Sequence, residues 1–385
     1  MTPAARAAAA IEVLDAYRAG QPAEQVLTTW GRKNRFAGSG DRAAIRDIVF
    51  ETLRCWRSFA WVGGSETGRG LILGWCRMTG LPEDDVFSGV GHAPAVLSEA
   101  ERSGGTEIAA APRAVQRDVQ DWQLAHLDAA LGSDADLVAE RLRSRADGLR
   151  RATVARAGRD AVMSTLKEEG IEVAAHSLSP SAIQVTGRAR GLQALKSFRD
   201  GLFEMQDAAS QAVVDRLGDL SGLSVLDYCA GGGGKALAMA AKGARVTAHD
   251  ANPTRMRDIP IRAKRAGARV TIAKTPAGRF NLVICDAPCS GSGAWRRQPE
   301  GKWRLTEARL GELTALQDSI LDTAEGLVAD GGRLAFATCS LFRAENEERA
   351  AAFLMRHKDW REIDQLRLSP LDGGDGFFLS VMSRR

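Results

Sequence analysis

Apolar residues fall at helical intervals through the first third of the chain. Ala8, Ile11, Leu14 and Tyr17 recur every third residue, and Ile45, Ile48, Val49, Leu53 and Trp56 every third or fourth. One apolar face per turn predicts amphipathic helices, so residues 1–125 are read as an all-helical domain. Gly38, Ser39, Gly40 and Asp41 supply a turn and an N-cap for the second of those periodic segments. Residues 130–205 mix patterns: a helix from Asp160 to Glu169 closed by Gly170, β-prone pieces at Ile171 to Val173 and Ala182 to Thr186, and turn signals at Ser179 and Pro180. A small α+β connector is expected there. From Leu223 the pattern changes again, to short unbroken apolar runs (SVLDYC, ARVTAHD, RVTIA, FNLVICDAP, GRLAFATCS, GFFLSVM) separated by helical stretches. Strands buried on both faces lose the polar alternation, and strand–helix alternation marks parallel crossovers. Residues 206–385 are therefore expected to be α/β, a Rossmann-like domain with a doubly wound sheet.

Composition narrows this only slightly. A hydrophobic share of 44% and a charged share of 26% exclude a disordered or fibrous chain. The 52 basic residues exceed the 48 acidic ones by four, which permits a nucleic-acid partner without demanding one. Arg141, Arg143, Arg145, Arg150, Arg151 and Arg156 form either a phosphate-facing strip or a solvated face. No apolar run approaches the ~20 residues that span a bilayer, and Met1 to Ala10 leads into Ile11, Val13 and Leu14 as an amphipathic helix and not a signal peptide. A cytoplasmic protein with no membrane partner is expected. The six cysteines, at 55, 76, 229, 285, 289 and 339, contain no Cys-x-x-Cys pair and read as reduced thiols.

Candidate chemistry sits at the strand ends. After the first strand of the α/β region come Cys229, Ala230, Gly231, Gly232, Gly233, Gly234 and Lys235, opening a helix near Ala236. Glycines there let the backbone approach a bound nucleotide or nucleoside. A P-loop would need glycine at Cys229 and a hydroxyl residue at Ala236, so an NTPase is disfavoured; a dinucleotide site fits in part but lacks its third glycine. Asp250 closes the second strand at the spacing from which a carboxylate accepts from ribose hydroxyls. Asp286 and Cys289 follow the fourth strand and Cys339 the fifth. Ligands bind beyond the carboxyl ends of such sheets, so both thiols are expected at one crevice. A thiolate there can add to C6 of cytosine and make C5 an enamine nucleophile, because C5 does not attack a sulfonium methyl unaided. Asp286 is suited to hold or protonate N3. A tetrahedral zinc site from Cys229, Cys285, Cys289 and Cys339 is the rival use of these thiols, disfavoured by the lack of a short ligand pair; no metal is expected. Cys55, Cys76 and Cys285 read as core packing.

At these residues the sequence resembles the RNA cytosine-C5 methyltransferases of the RsmB/NOP/Sun type. The resemblance rests on DYCAGGGGK (227–235), DAPCSGSG (286–293), ATCS (337–340), RRQPEGKWR (296–304), DGFF (375–378) and FEMQDAASQ (203–211). It implies a class I methyltransferase fold that uses S-adenosyl-L-methionine. It further implies Cys339 as nucleophile, Cys289 assisting product release, and Asp286 touching both base and cofactor region. Cys229, Ala230, Gly231, Gly232, Gly233, Gly234, Lys235, Asp250 and Arg255 would then hold the cofactor. SGDRAAIRDIVFETLRCWR (39–57) is similar to a NusB-like RNA-binding domain, which implies RNA as partner, small-subunit ribosomal RNA above transfer RNA. A monomer is expected. The chain departs from the family pattern where Gly231 and Gly232 replace Ala-Pro, where Ala236 replaces a hydroxyl residue, and where RVTIAKTPAG (269–278) lacks an acidic residue. A catalytically lapsed ribosome-assembly factor and a nicotinamide-dependent oxidoreductase with His249 as its proton-transfer group are the competing readings.

Overall fold

The computed structural model describes residues 1–187 and 191–385. The chain divides into two compact units, one of residues Met1–Arg145 with Trp295–Arg304, the other of Ala146–Ala294 with Leu305–Arg385.

The first unit is helical. Its principal helices are α1 (Pro3–Arg18), α2 (Ala23–Lys33), α3 (Ser39–Arg54), α4 (Trp56–Gly63) and α5 (Gly68–Thr79), and helices continue through Asp121–Leu131 and Ala135–Arg143, past residue 125. The periodic residues meet as expected: Val13, Leu14, Ile45, Val49, Leu53, Leu71, Ile72 and Cys76 are buried together. Helices α4 and α5 touch backbone to backbone, since a Cβ on Gly74 would lie 1.9 Å from the carbonyl oxygen of Phe59. Residues Trp295–Arg304 finish the C-terminus of α3, where a helix leaves carbonyls without partners. Lys302 Nζ donates to the carbonyl of Arg54 at 2.8 Å and Trp303 Nε1 to that of Leu53 at 2.6 Å, while Gln123 Nε2 donates to the carbonyl of Lys302 at 2.7 Å.

Two arginines of the proposed phosphate-facing strip are spent on structure. Arg143 Nε donates at 2.8 Å to Asp118, whose side chain is fully buried and also accepts from the N–H and hydroxyl of Ser58. Arg151 is only 4% exposed. The strip reading fails at both positions because each guanidinium has a buried hydrogen-bonding task.

The second unit holds two sheets. A small antiparallel sheet comprises β1 (Gly148–Ala152), β2 (Val173–Ala175), β3 (Ala182–Val185) and β4 (Phe203–Met205), in the order β2-β3-β1-β4. The large sheet comprises β5 (Ser224–Asp227), β6 (Arg245–Ala248), β7 (Val270–Ile272), β8 (Phe280–Asp286), β9 (Val328–Thr338), β10 (Trp360–Leu368) and β11 (Phe377–Arg384). Its order is β10-β11-β9-β8-β5-β6-β7; β5 to β9 pair in parallel, and β11 runs antiparallel to β9 and β10. This is the expected doubly wound sheet. Leu282, Val283, Ile284 and Cys285 of β8 are all fully buried, which is why that strand reads as one unbroken apolar run. The strand order reverses between β5 and β8, and a ligand crevice opens at such a switch point. No helix among the described residues is long and apolar enough to cross a membrane.

Burial pushes the Lys302 ammonium down to about 8, against the pull of Asp118, from its ordinary 10.5. Between those two values the unfolded chain binds more protons than the folded one, so this group's contribution to stability rises with pH. The melting temperature of the natural protein relative to Lys302→Met should therefore climb from pH 8 to pH 10; a flat difference would contradict it.

Candidate active site

The first βα turn is built so that backbone, not side chains, lines the crevice. Gly231 and Gly233 adopt φ of +50° and +81°, a left-handed conformation that glycine tolerates without strain. A Cβ on Gly233 would also meet Ile259 at 2.7 Å. Ala230 N–H donates to the His249 carbonyl, and Gly233 N–H closes the turn on the Ala230 carbonyl, each at 2.8 Å. Outside the turn, Arg151 Nη1 donates to the carbonyl of Gly234 at 2.7 Å. Arg262 donates to that of Gly232 while pairing with the buried Glu204 at 2.9 Å.

A cavity of about 270 Å³ results. Its wall contains Cys229, Ala230, Gly231, Gly232, Gly234, Lys235, Arg255 and Asp286 of the residues anticipated from sequence, together with Gln206 and Asp227, which were not. Gly233 packs behind the wall on Ile259. Asp250 is also one layer back, 4% exposed. Its carboxylate accepts from the N–H groups of Gly231 and Asn252, both at 2.9 Å, and faces Arg255 at 3.1 Å. Arg255 is half exposed, so the Asp250 carboxylate is covered on that side by a solvent-facing cation.

Three ionisable side chains meet at the inner end. Lys235 Nζ donates to Asp286 at 2.7 Å and lies 4.6 Å above the Phe377 ring. Asp227 is 1% exposed, and neither carboxyl oxygen has a side-chain partner or a hydrogen bond of ordinary geometry. Burial, reinforced by the charge of Asp286 and opposed by Lys235, pushes its carboxyl up to about 7. Burial likewise raises the Cys229 thiol far above its usual range, so it is a neutral wall residue. An acid closing the first strand was the only sequence signal for Asp227.

The two other thiols are brought into contact. β8 and β9 pair in parallel with Asp286 opposite Ala337, so Cys289 and Cys339 leave adjacent strand ends together. Their sulfurs are 3.5 Å apart, a thiol contact and not a disulfide. The loops carrying them are tied by Glu345, which is fully buried. Glu345 accepts from Ser290 N–H at 2.7 Å, from the Ser340 hydroxyl at 2.5 Å and from Gln317 Nε2 at 3.2 Å. Ser292 Oγ lies 3.1 Å from Ser340 Oγ, and Gly293 N–H donates to the Cys339 carbonyl at 2.9 Å. The hydrogen bond to Cys339, then burial, then the negative Glu345, hold the Cys289 proton tightly. Cys285 is sealed in β8. Among the described residues no group of three or more His, Cys, Asp or Glu is placed to hold a metal ion. His249 faces Tyr228, with ring centroids 5.0 Å apart, and its Nδ1 lies 3.2 Å from the Ala273 carbonyl.

Glu345→Ala would leave the half-buried Ser290 and the buried Ser340 hydroxyls without their carboxylate acceptor. A loss of about 2–4 kcal/mol in unfolding free energy is expected, with faster labelling of Cys289 and Cys339 by a thiol reagent. Unchanged stability and labelling would show that the loops do not depend on this carboxyl.

Residues 218–378 match the family model described as 16S rRNA methyltransferase RsmB/F. Proteins named ribosomal RNA small subunit methyltransferase B are similar to this chain: that of Photorhabdus laumondii is 32% identical over 59% of this chain and 57% of its own length. That of Klebsiella pneumoniae is 33% identical over the same shares. The matched stretch thus spans little more than half the length of these relatives. Among solved structures, PH0851 superposes with a TM-score of 0.76 at 20% identity, covering 100% of this chain and 99% of that one. NSun6 from Pyrococcus horikoshii with SFG gives 0.62 at 16% identity, covering 69% and 98%. At such identities these structures show a shared fold.

Proposed function

Since residues 218–378 match the RsmB/F methyltransferase family model, we propose that this chain methylates cytosine C5 in 16S ribosomal RNA, in the cytoplasm, with S-adenosyl-L-methionine as methyl donor and Cys339 as covalent nucleophile. The observation that carries the reading is the pair of thiols in contact at the ends of β8 and β9, one of them, Cys289, three residues beyond the Asp286 carboxylate that borders the glycine-walled cavity. The ribosomal substrate is taken from the names of the relatives.

The cavity fits the cofactor by its chemistry: a wall rich in bare backbone at Ala230, Gly231, Gly232 and Gly234, a cation at Lys235, and carboxyl groups at Asp227 and Asp286, with Asp250 one layer behind. S-adenosyl-L-methionine supplies an electrophilic methyl group. The rest is done by this chain's residues. The resemblance of ATCS (337–340) to the family's motif makes Cys339 the sulfur that attacks, with Cys289 in contact with it at 3.5 Å. Its lone pair forms the S–C6 bond and the ring electrons shift toward C5, while Lys235 and Asp286, paired at 2.7 Å, present a donor and an acceptor to the base. After C5 is substituted, its proton passes to water, the C5–H electron pair restores the ring double bond, and the C6–S bond breaks with its electrons leaving on Cys339 as thiolate. The Cys289 thiol, in contact with that sulfur, hydrogen-bonds to the departing thiolate and so assists release.

Cys339→Ala should abolish methyl transfer, with a loss of at least about 10³-fold expected for a missing nucleophile. Cys289→Ala should instead accumulate a covalent protein–RNA adduct, seen as a retarded band on a denaturing gel. An adduct in the Cys339 variant would reverse the two roles, and absence of 5-methylcytosine from RNA incubated with the natural protein would sink the proposal.

A further inference from the structure

The turn between α2 and α3 presents a feature that the helical core does not use. Gly31, Arg32, Lys33, Asn34, Arg35 and Phe36 run in sequence there. Phe36 is 72% exposed, the only aromatic among the exposed large apolar side chains of the described residues. Arg32, Lys33 and Arg35 are all exposed, and no ion pair or hydrogen bond among the described residues engages their side chains. The nearby acids are compensated: Glu24 pairs with Arg46, and Asp41 with Arg6 at 2.9 Å.

The turn is rigid. Asn34 N–H and Nδ2 both donate to the Trp30 carbonyl, at 2.9 and 3.0 Å. Ala37, 2% exposed, donates its N–H to the Asn34 carbonyl at 3.1 Å and accepts from Arg42 Nε at 3.0 Å. A phenyl ring is therefore held out in water on a braced turn, beside three cations with no protein counter-charge. A protein-docking site would surround such a ring with further apolar surface. Here no other large apolar side chain within the first 80 residues is exposed. One ring flanked by cations matches one base and its neighbouring phosphates, and bases are open to stacking in single strands but not inside an A-form helix.

We propose that this turn is a single-stranded RNA contact site, with Phe36 stacking on an unpaired base and Arg32, Lys33 and Arg35 on adjacent phosphates. The proposal rests on RNA being the substrate and names where the helical unit grips it. Preorganisation of the turn means that binding does not have to order it.

The test uses the full chain and a short fluorescent single-stranded RNA of mixed sequence, read by anisotropy. Phe36→Ala should weaken binding by roughly ten-fold or more, while Phe36→Trp retains it. Replacing Arg32, Lys33 and Arg35 together by Gln should reduce the slope of log affinity against log salt by about 2, at ~0.7 per phosphate. RNA carrying 5-bromouridine should photocrosslink to the peptide containing Phe36. Equal RNA affinity for the natural protein and Phe36→Ala, with no crosslink there, overturns the site and assigns the turn to a protein partner; if methyl transfer to RNA persists in that variant, the function proposed above stands. Weakened binding in the variants with no methyl transfer by the natural protein supports the site and defeats the enzyme reading.

Discussion

Everything chemical in this molecule depends on two parallel strands ending level with one another. β8 and β9 are paired up to Asp286 and Ala337, so the next residues of each must share one patch of space. Strand pairing alone fixes backbone, and thiols on two loops would still drift apart. The buried Glu345 removes that freedom by accepting from both loops at once. A carboxyl with no side-chain exposure is costly unless its oxygens are satisfied, and here satisfying them and aligning the thiols are the same set of hydrogen bonds.

The cavity follows the opposite strategy. Its outer wall is bare glycine backbone, and its inner end gathers Lys235, Asp227 and Asp286 with a single cation for two carboxyl groups. Burial first, and the neighbouring charge of Asp286 second, push the Asp227 carboxyl up to about 7. Buried acids with raised carboxyl pKa are expensive to the fold and concentrate at functional sites.

How much of this could be read from the chain depended on burial. β8 and β9 were legible because their second halves, Leu282 to Cys285 and Leu334 to Ala337, are buried on both faces and carry no polar side chain. β10 was not, because Trp360–Leu368 is an edge strand whose sequence WREIDQLRL is mostly solvated. β1 hides the buried Arg151 in a segment that looks like a charged surface. The glycine-rich turn, Lys235 and Asp286 stand out by local spacing, and the structure brings them to one cavity. Asp250 also stands out, yet it lies behind the wall with Arg255 across it, since nothing in sequence tells which neighbours have already claimed its lone pairs. Glu345 sits in RAENEERA, which reads as a solvated helix start; only the tertiary fold turns it inward.

The finishing of α3 by Trp295–Arg304 has a temporal side. The last carbonyls of α3, at Leu53 and Arg54, receive their donors from residues that leave the ribosome long after the helix itself. Until then the buried Asp118 also lacks the favourable field of Lys302. The helical unit therefore has to wait, incompletely capped, while β1 to β8 are being synthesised. Its final stability is acquired only when the chain has passed the thiol loop of Cys289, so the two units of this protein mature as a linked pair and not in simple N-to-C order.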